Sequence, residues 1–247
     1  LDITHRICYL ANGILKLLYF FCISESIAVA CSINDIDCLS KSTEKFLEKT
    51  HRGIPAWNIV ALDPLVIPSF DIVFDNEGLI YKHQNLTVTG LRNQKISDFK
   101  MDTKTKSVVL TTKADLDIVT DIDVLFSKSS KTLSGHYNLF IAGVLGTATY
   151  KYDLKTDEKG VTHFHVGPET ITCKVVDAPS VELNPEFQQT LSNGKDADAK
   201  AFSQEKKNEL REKVFCKITE KAYTYVVHNI REAAKAVPSS AFFTNIE

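Results

Sequence analysis

The sequence has no GxSxG elbow, HExxH pair, phosphate-binding P-loop or dinucleotide fingerprint. The usual constellations for acyl transfer, metal-assisted hydrolysis and nucleotide chemistry are therefore missing. Basic residues nowhere form a block and the formal charge is -2, which leaves nothing to neutralise a phosphate backbone and excludes a nucleic-acid partner. No CxxC pair is present, so the cysteines do not read as a zinc site. No apolar run is long enough to span a bilayer, which argues against stable membrane insertion.

What is present is apolar surface on long elements. The 247 residues are 44% apolar and 24% charged, which suits one globular domain with a large core or two small ones, and the lack of any internal repeat or linker favours one. The N-terminal region reads as a secretory signal: Arg6 and Lys16 precede the apolar run Leu17 to Ile23, and Ala28-Val29-Ala30 supplies small residues for cleavage. Residues 1–30 are accordingly set apart as upstream sequence plus signal, with no function given to residues 1–13, and residues 31–247 are read as a single domain. Four cysteines then remain, Cys31, Cys38, Cys173 and Cys216, and an even count in a secreted chain suggests two disulfides. Of the three pairings, Cys31 with Cys38 and Cys173 with Cys216 closes the shortest loops.

The strongest periodicity lies between Ser203 and Val237. Leu210, Val214, Phe215, Ile218, Ala222, Tyr223, Val226, Val227, Ile230 and Ala234 fall at helical steps on one stripe. Lys206, Glu209, Lys213, Lys217, Arg231 and Glu232 lie on the charged face, and Pro238 ends the pattern. Such a helix is roughly 50 Å long, so something equally long must cover its stripe. A shorter amphipathic helix is expected from Cys38 to Thr50, with Leu39, Phe46 and Leu47 on its apolar face and Asp35 or Asp37 as its cap.

Between the two helices the period becomes two. From Val108 to Phe126 the even positions are mostly apolar, while Lys113, Asp115, Asp117, Asp121 and Asp123 occupy odd ones. A flat strand of that length would run some 60 Å, so it must curve. Leu133 to Leu154 repeats the pattern with a change of parity near Gly143 and Gly146, after which Phe140, Ala142, Val144, Ala148, Tyr150 and Tyr152 are expected on one face. Strand segments are also expected at Leu79 to Leu91 and at Thr162 to Val176, the latter broken at Gly167-Pro168, and Ser192 to Lys200 reads as a loop. The predicted fold is α+β: a long C-terminal helix wrapped by a highly curved antiparallel sheet.

Candidates for chemistry are weak. Ser42 to Lys45 fits SxxK without its partner motifs, His163 and His165 share a strand face without further ligands, and the aspartates lie along a solvated strand face rather than in a loop. Asn85-Leu-Thr87 is a glycosylation sequon on the outward parity of its strand. Neither an enzyme nor a bound cofactor is expected. The apolar residues belong either to a plain core or to the wall of an apolar ligand pocket.

Several stretches resemble one family. These are Cys38-Leu-Ser40, Glu44 to Thr50, Gly53-Ile-Pro55, Asp63-Pro-Leu65, Thr89-Gly-Leu91, Ile96-Ser-Asp-Phe99, Met101 to Lys104, Thr112 to Leu116, Pro168-Glu-Thr170 and Val227 to Arg231. The chain from Cys31 onward is similar throughout to the insect haemolymph juvenile hormone binding proteins, within the wider takeout-like group. Cys173 and Cys216 point to the hormone-binding branch. The resemblance implies a monomeric, secreted haemolymph carrier that holds juvenile hormone or a similar terpenoid in an apolar pocket and shields it from hydrolysis. It implies that Tyr150 donates a hydrogen bond to the ligand's epoxide oxygen. It also implies that Leu39, Phe46 and Leu47 on the N-terminal helix act as a gate, with Phe242 and Phe243 closing the same end and Leu65, Val66 and Phe164 as further wall. A takeout-like carrier of another lipid or odorant, or an interaction protein with a vestigial pocket, are the alternatives.

Overall fold

A computed structural model describes residues 27–127, 130–177, 179–193, 204–244 and 246. Most of the signal assignment, the loop over 194–200 and the helix start at Ser203 lie outside the described residues. The elements in order are α1 (Ile36–Thr50), β1 (Leu65–Phe74), β2 (Leu79–Thr89), β3 (Lys95–Asp102), β4 (Ser107–Phe126), β5 (Lys131–Thr156), β6 (Thr162–Lys174), β7 (Ser180–Leu183), α2 (Pro185–Asn193) and α3 (Gln204–Ala236).

The 20-residue β4 and the 26-residue β5 form one antiparallel ribbon, paired from Ser107 with Lys151 to Phe126 with Lys131. The ribbon is bulged at its middle. Its register shifts between Ala114 and Leu116, opposite Gly143, which adopts φ +62° and donates its N–H to the Asp115 carboxylate at 2.6 Å. The bulge swaps the inward parity of β5: Leu133, Tyr137, Leu139 and Ile141 are buried on one side of it, and Val144, Ala148, Tyr150 and Tyr152 on the other. Phe140 therefore lies before the switch and points outward, 42% exposed, contrary to its expected place beside Tyr150.

Each half of the ribbon carries its own flanking strands. β2, β1 and β7 extend the half toward Phe126, whereas β3 and β6 extend the half toward Ser107. The expected break at Gly167-Pro168 is a bulge inside a single strand, because two residues of β6 there oppose only Lys151 of β5. The result is the expected α+β arrangement, a curled seven-stranded antiparallel sheet around a long C-terminal helix.

Helix α3 buries Leu210, Val214, Phe215, Ile218, Ala222, Tyr223, Val226, Val227 and Ala234, the stripe read from periodicity. One residue assigned to its solvated face belongs elsewhere: the Arg231 side chain is only 22% exposed and pairs with Glu169. Close approach of helix to sheet depends on Gly146, where an added Cβ would lie 2.3 Å from the Tyr223 ring. The Cys173–Cys216 disulfide ties β6 to α3, and Cys31–Cys38 ties the entering chain to the first turn of α1. On the chain-entropy view the longer loop contributes about 4 kcal/mol. Asp35 is the α1 cap, its carboxylate accepting the Cys38 N–H at 2.9 Å.

One buried pair is expected to make the fold acid-sensitive. His83 is fully buried, its Nδ1–H donating to the Phe70 carbonyl at 3.0 Å while Nε2 accepts the Tyr137 hydroxyl at 2.7 Å. Burial lowers the His83 pKa from 6.5, against the opposing charge of Asp71. A lowered base is neutral in the fold but takes up a proton on unfolding, so its stabilisation is complete above pH 6.5 and fades as the pH falls below that value. Urea midpoints measured from pH 7.5 to 5 are expected to fall with acid in the parent and to fall less steeply in His83→Gln; equal slopes would contradict this assignment.

Candidate ligand-binding site

The half of the roll that holds Tyr150 contains a cavity of about 150 Å³. α1 closes one side with Leu39, Thr43, Phe46 and Leu47, and β3 supplies Ile96, Phe99 and Met101. β4, β5 and β6 contribute Val108, Leu110, Tyr150, Tyr152, Phe164 and Val166; α3 contributes Val226, Ile230, Ala233 and Ala234. Phe242 and Phe243 cap it from the tail, with the Phe243 ring 5.4 Å from Phe164 and 6.2 Å from Phe99.

The inner end is floored by a polar chain. Gln94 Nε2 donates to the Leu91 carbonyl at 2.9 Å and Gln94 Oε1 accepts the Thr112 hydroxyl at 2.9 Å. Thr112 has one proton, already given to Gln94, so the Tyr223 hydroxyl at 2.9 Å must donate to it. Burial pushes the Tyr223 phenol up to about 12, which keeps that donor protonated. Every member is satisfied within the chain, so the floor offers a ligand shape more than hydrogen bonds.

Tyr150 differs. Its side chain is buried among apolar neighbours, burial raises its pKa strongly, and its hydroxyl meets no hydrogen-bonding partner among the described residues. Arg231, which lies near enough to offset part of that rise, is itself occupied. Its guanidinium donates to the carbonyls of Val166 at 3.1 Å and Gly167 at 2.9 Å and to the Glu169 carboxylate, so it holds the β6 bulge beside Tyr150.

The outer wall is built from the tail and from the segment before α1, which includes Ala28 and Val29, residues assigned from the sequence to the end of the signal. The Ser42 hydroxyl donates to the Val29 carbonyl at 2.8 Å and accepts the Val29 N–H at 2.9 Å. Cys31 donates its N–H to Phe242 at 3.0 Å and accepts that of Thr244 at 3.0 Å. The disulfide to Cys38 thus joins α1, the entering segment and the tail at one rim.

Of the residues singled out from the sequence, Leu39, Phe46, Leu47, Tyr150, Phe164, Phe242 and Phe243 meet around this cavity. Leu65 and Val66 do not. They open β1, where neighbours in a strand face opposite ways: Leu65 enters the larger core and Val66 faces outward, 58% exposed. Missed were the β3 wall, Tyr152 and the Gln94 floor. In β3 a register shift between Ile96 and Asp98 puts Ile96, Phe99 and Met101 on one wall at uneven spacing, which hides the strand from a period-two search.

The weaker candidates find structural places. The Ser42 hydroxyl is bonded to Val29, and the His163 ring is bonded to the Val237 carbonyl at 3.0 Å. No group of three His, Cys, Asp or Glu that could hold a metal occurs among the described residues. Asn85 is exposed on the outer face, its amide 3.3 Å from Asp121. No described helix is long and apolar enough to cross a membrane.

A long helix rolled inside a curled sheet, with an apolar chamber at one end, defines an elongated ligand-holding roll. Residues 16–244 match the family described as haemolymph juvenile hormone binding protein, and the chain belongs to that family. It is 48% identical over 220 residues to a juvenile hormone-binding protein of Manduca sexta, covering 87% of this chain and 95% of that one. Its fold is similar to that of Takeout 1 from Epiphyas postvittana, with a TM-score of 0.72 at 19% identity, over 87% of this chain and 99% of that one.

Proposed function

We propose that this protein is a secreted, monomeric haemolymph carrier that binds juvenile hormone, an epoxide-bearing terpenoid ester, in the Tyr150 chamber and performs no chemistry on it. The observation that carries the reading is the Tyr150 phenol, which has no partner among the described residues and faces a mostly apolar chamber. That hydroxyl is free to donate to a ligand ether oxygen. The 48% identity to a hormone-binding relative supports the choice of ligand. Burial of the terpenoid chain supplies most of the affinity, at about 0.8 kcal/mol per methylene, and the phenol orients it. α1 and the aromatic tail exclude water, which shields the ester from hydrolysis. Asn85 is read as a glycan acceptor, since its exposed outward position leaves room for a sugar.

Tyr150→Phe tests this reading. The lost hydrogen bond is worth about 0.5 to 1.5 kcal/mol, so the epoxide hormone should bind about two- to twelvefold more weakly, while a farnesoid lacking the epoxide should be unaffected. Equal behaviour of the two ligands would favour a carrier of some other lipid.

A further inference from the structure

The opposite half of the roll holds a second cavity, of about 320 Å³, and no described residue lines both. Its well is aliphatic and aromatic, built on Leu79, Ile122, Val124, Leu139, Phe187 and Phe215. A volume of that size is at the lower end of those that small-molecule sites occupy. Its rim is not apolar. Among the described residues two charged ones line it, Lys207 and Arg211, one turn apart on α3, both exposed and both cationic.

The surrounding charges are already matched. Lys206 lies 2.6 Å from Glu77 and 3.0 Å from Glu209, and Lys213 lies 2.5 Å from Glu209. Lys207 and Arg211 have no ion pair or hydrogen bond among the described residues. The Tyr81 hydroxyl, also in the lining, has no partner among them, whereas the Tyr137 hydroxyl is taken by His83. The side-chain groups without partners in this lining are therefore an ammonium, a guanidinium and a phenol, all able to donate above an apolar well. A neutral terpenoid ester offers two cations acceptor oxygens but no opposite charge. A single-chain anion has both halves of the match, a head for the cations and a tail for the well.

We propose that this cavity is a second ligand site that takes a long-chain monocarboxylate, with its carboxylate on Lys207 and Arg211 and its chain among Leu79, Ile122, Val124 and Leu139. The site is independent of the Tyr150 chamber. The Gln94–Thr112–Tyr223 chain floors that chamber and has no member in the second cavity.

The test is equilibrium binding of labelled palmitate to the purified protein, with methyl palmitate and juvenile hormone as competitors. Palmitate is expected to bind about tenfold or more tightly than its methyl ester, to weaken with added salt, and to remain bound at saturating juvenile hormone. The double variant Lys207→Ala, Arg211→Ala changes two exposed side chains and should lose the preference for the acid while keeping its affinity for juvenile hormone. Absent palmitate binding, equal binding of acid and ester, displacement by juvenile hormone, or a double variant that keeps the preference would each overturn the proposal. If palmitate behaves as expected while juvenile hormone fails to bind, the second site stands and the hormone-carrier reading falls.

Discussion

Ala234→Phe is expected to abolish hormone binding while leaving the protein folded. Ala234 lies on the face of α3 that lines the Tyr150 chamber, 3% exposed, and a phenyl group built there enters a space of about 150 Å³. Excluding even four methylene-sized pieces of the ligand, at about 0.8 kcal/mol each, costs about 3 kcal/mol, or more than a hundredfold in affinity. The cost to the fold is about 1 to 3 kcal/mol of overpacking, moderated because the ring fills a void. Equilibrium binding beside far-ultraviolet circular dichroism reads both effects. A folded variant that binds as tightly as the parent would remove the chamber from the account.

The second large effect falls on stability. Asn229 is fully buried on α3, and its amide copies one rung of a strand ladder: Nδ2 donates to the Val60 carbonyl at 2.8 Å and Oδ1 accepts the Val60 N–H at 3.0 Å. His228 Nε2 lies 2.9 Å from the Asn58 carbonyl one residue earlier, so this turn of α3 holds the segment that leads into β1. Asn229→Leu preserves much of the volume but leaves both backbone groups of Val60 unpaired, each at a cost of about 1 to 3 kcal/mol. The sum, about 2 to 6 kcal/mol, corresponds to a thermal midpoint lower by about 4 to 24 °C in a domain of this size. A shift under about 2 °C would show that the rung is replaced by water or by relaxation of the loop.

Periodicity made the frame legible, and departures from periodicity concealed the rest. The α3 stripe and the alternation of β4 are regular over many turns and rungs, so a curled sheet around a helix was readable from Leu210 to Ala234 and from Val108 to Phe126. Phe140 was misplaced because the parity of β5 switches at the Gly143 bulge, between Phe140 and Tyr150. Helix α2 escaped notice because it is nine residues long and, of its described side chains, Phe187 is the one buried, against Gly135. Within the site, the α1 and tail residues came from resemblance and Tyr150 from both resemblance and its strand parity. Leu65 and Val66 failed because resemblance locates a segment but not which of two adjacent side chains faces inward, nor whether that face reaches the cavity. Arg231 read as solvated since a charge on a helix usually is; its neighbour across the bulge, Glu169, is 62 residues distant in sequence.

The central claim is that the Tyr150 chamber holds an epoxide terpenoid. The measurement that tests it most directly is equilibrium titration of the disulfide-bonded protein with labelled juvenile hormone, competed by the same farnesoid ester without its epoxide. The account predicts saturable binding in which the epoxide ligand is preferred about two- to twelvefold, the increment of one net hydrogen bond. No saturable binding by folded protein, or equal affinity for the two esters, would contradict it.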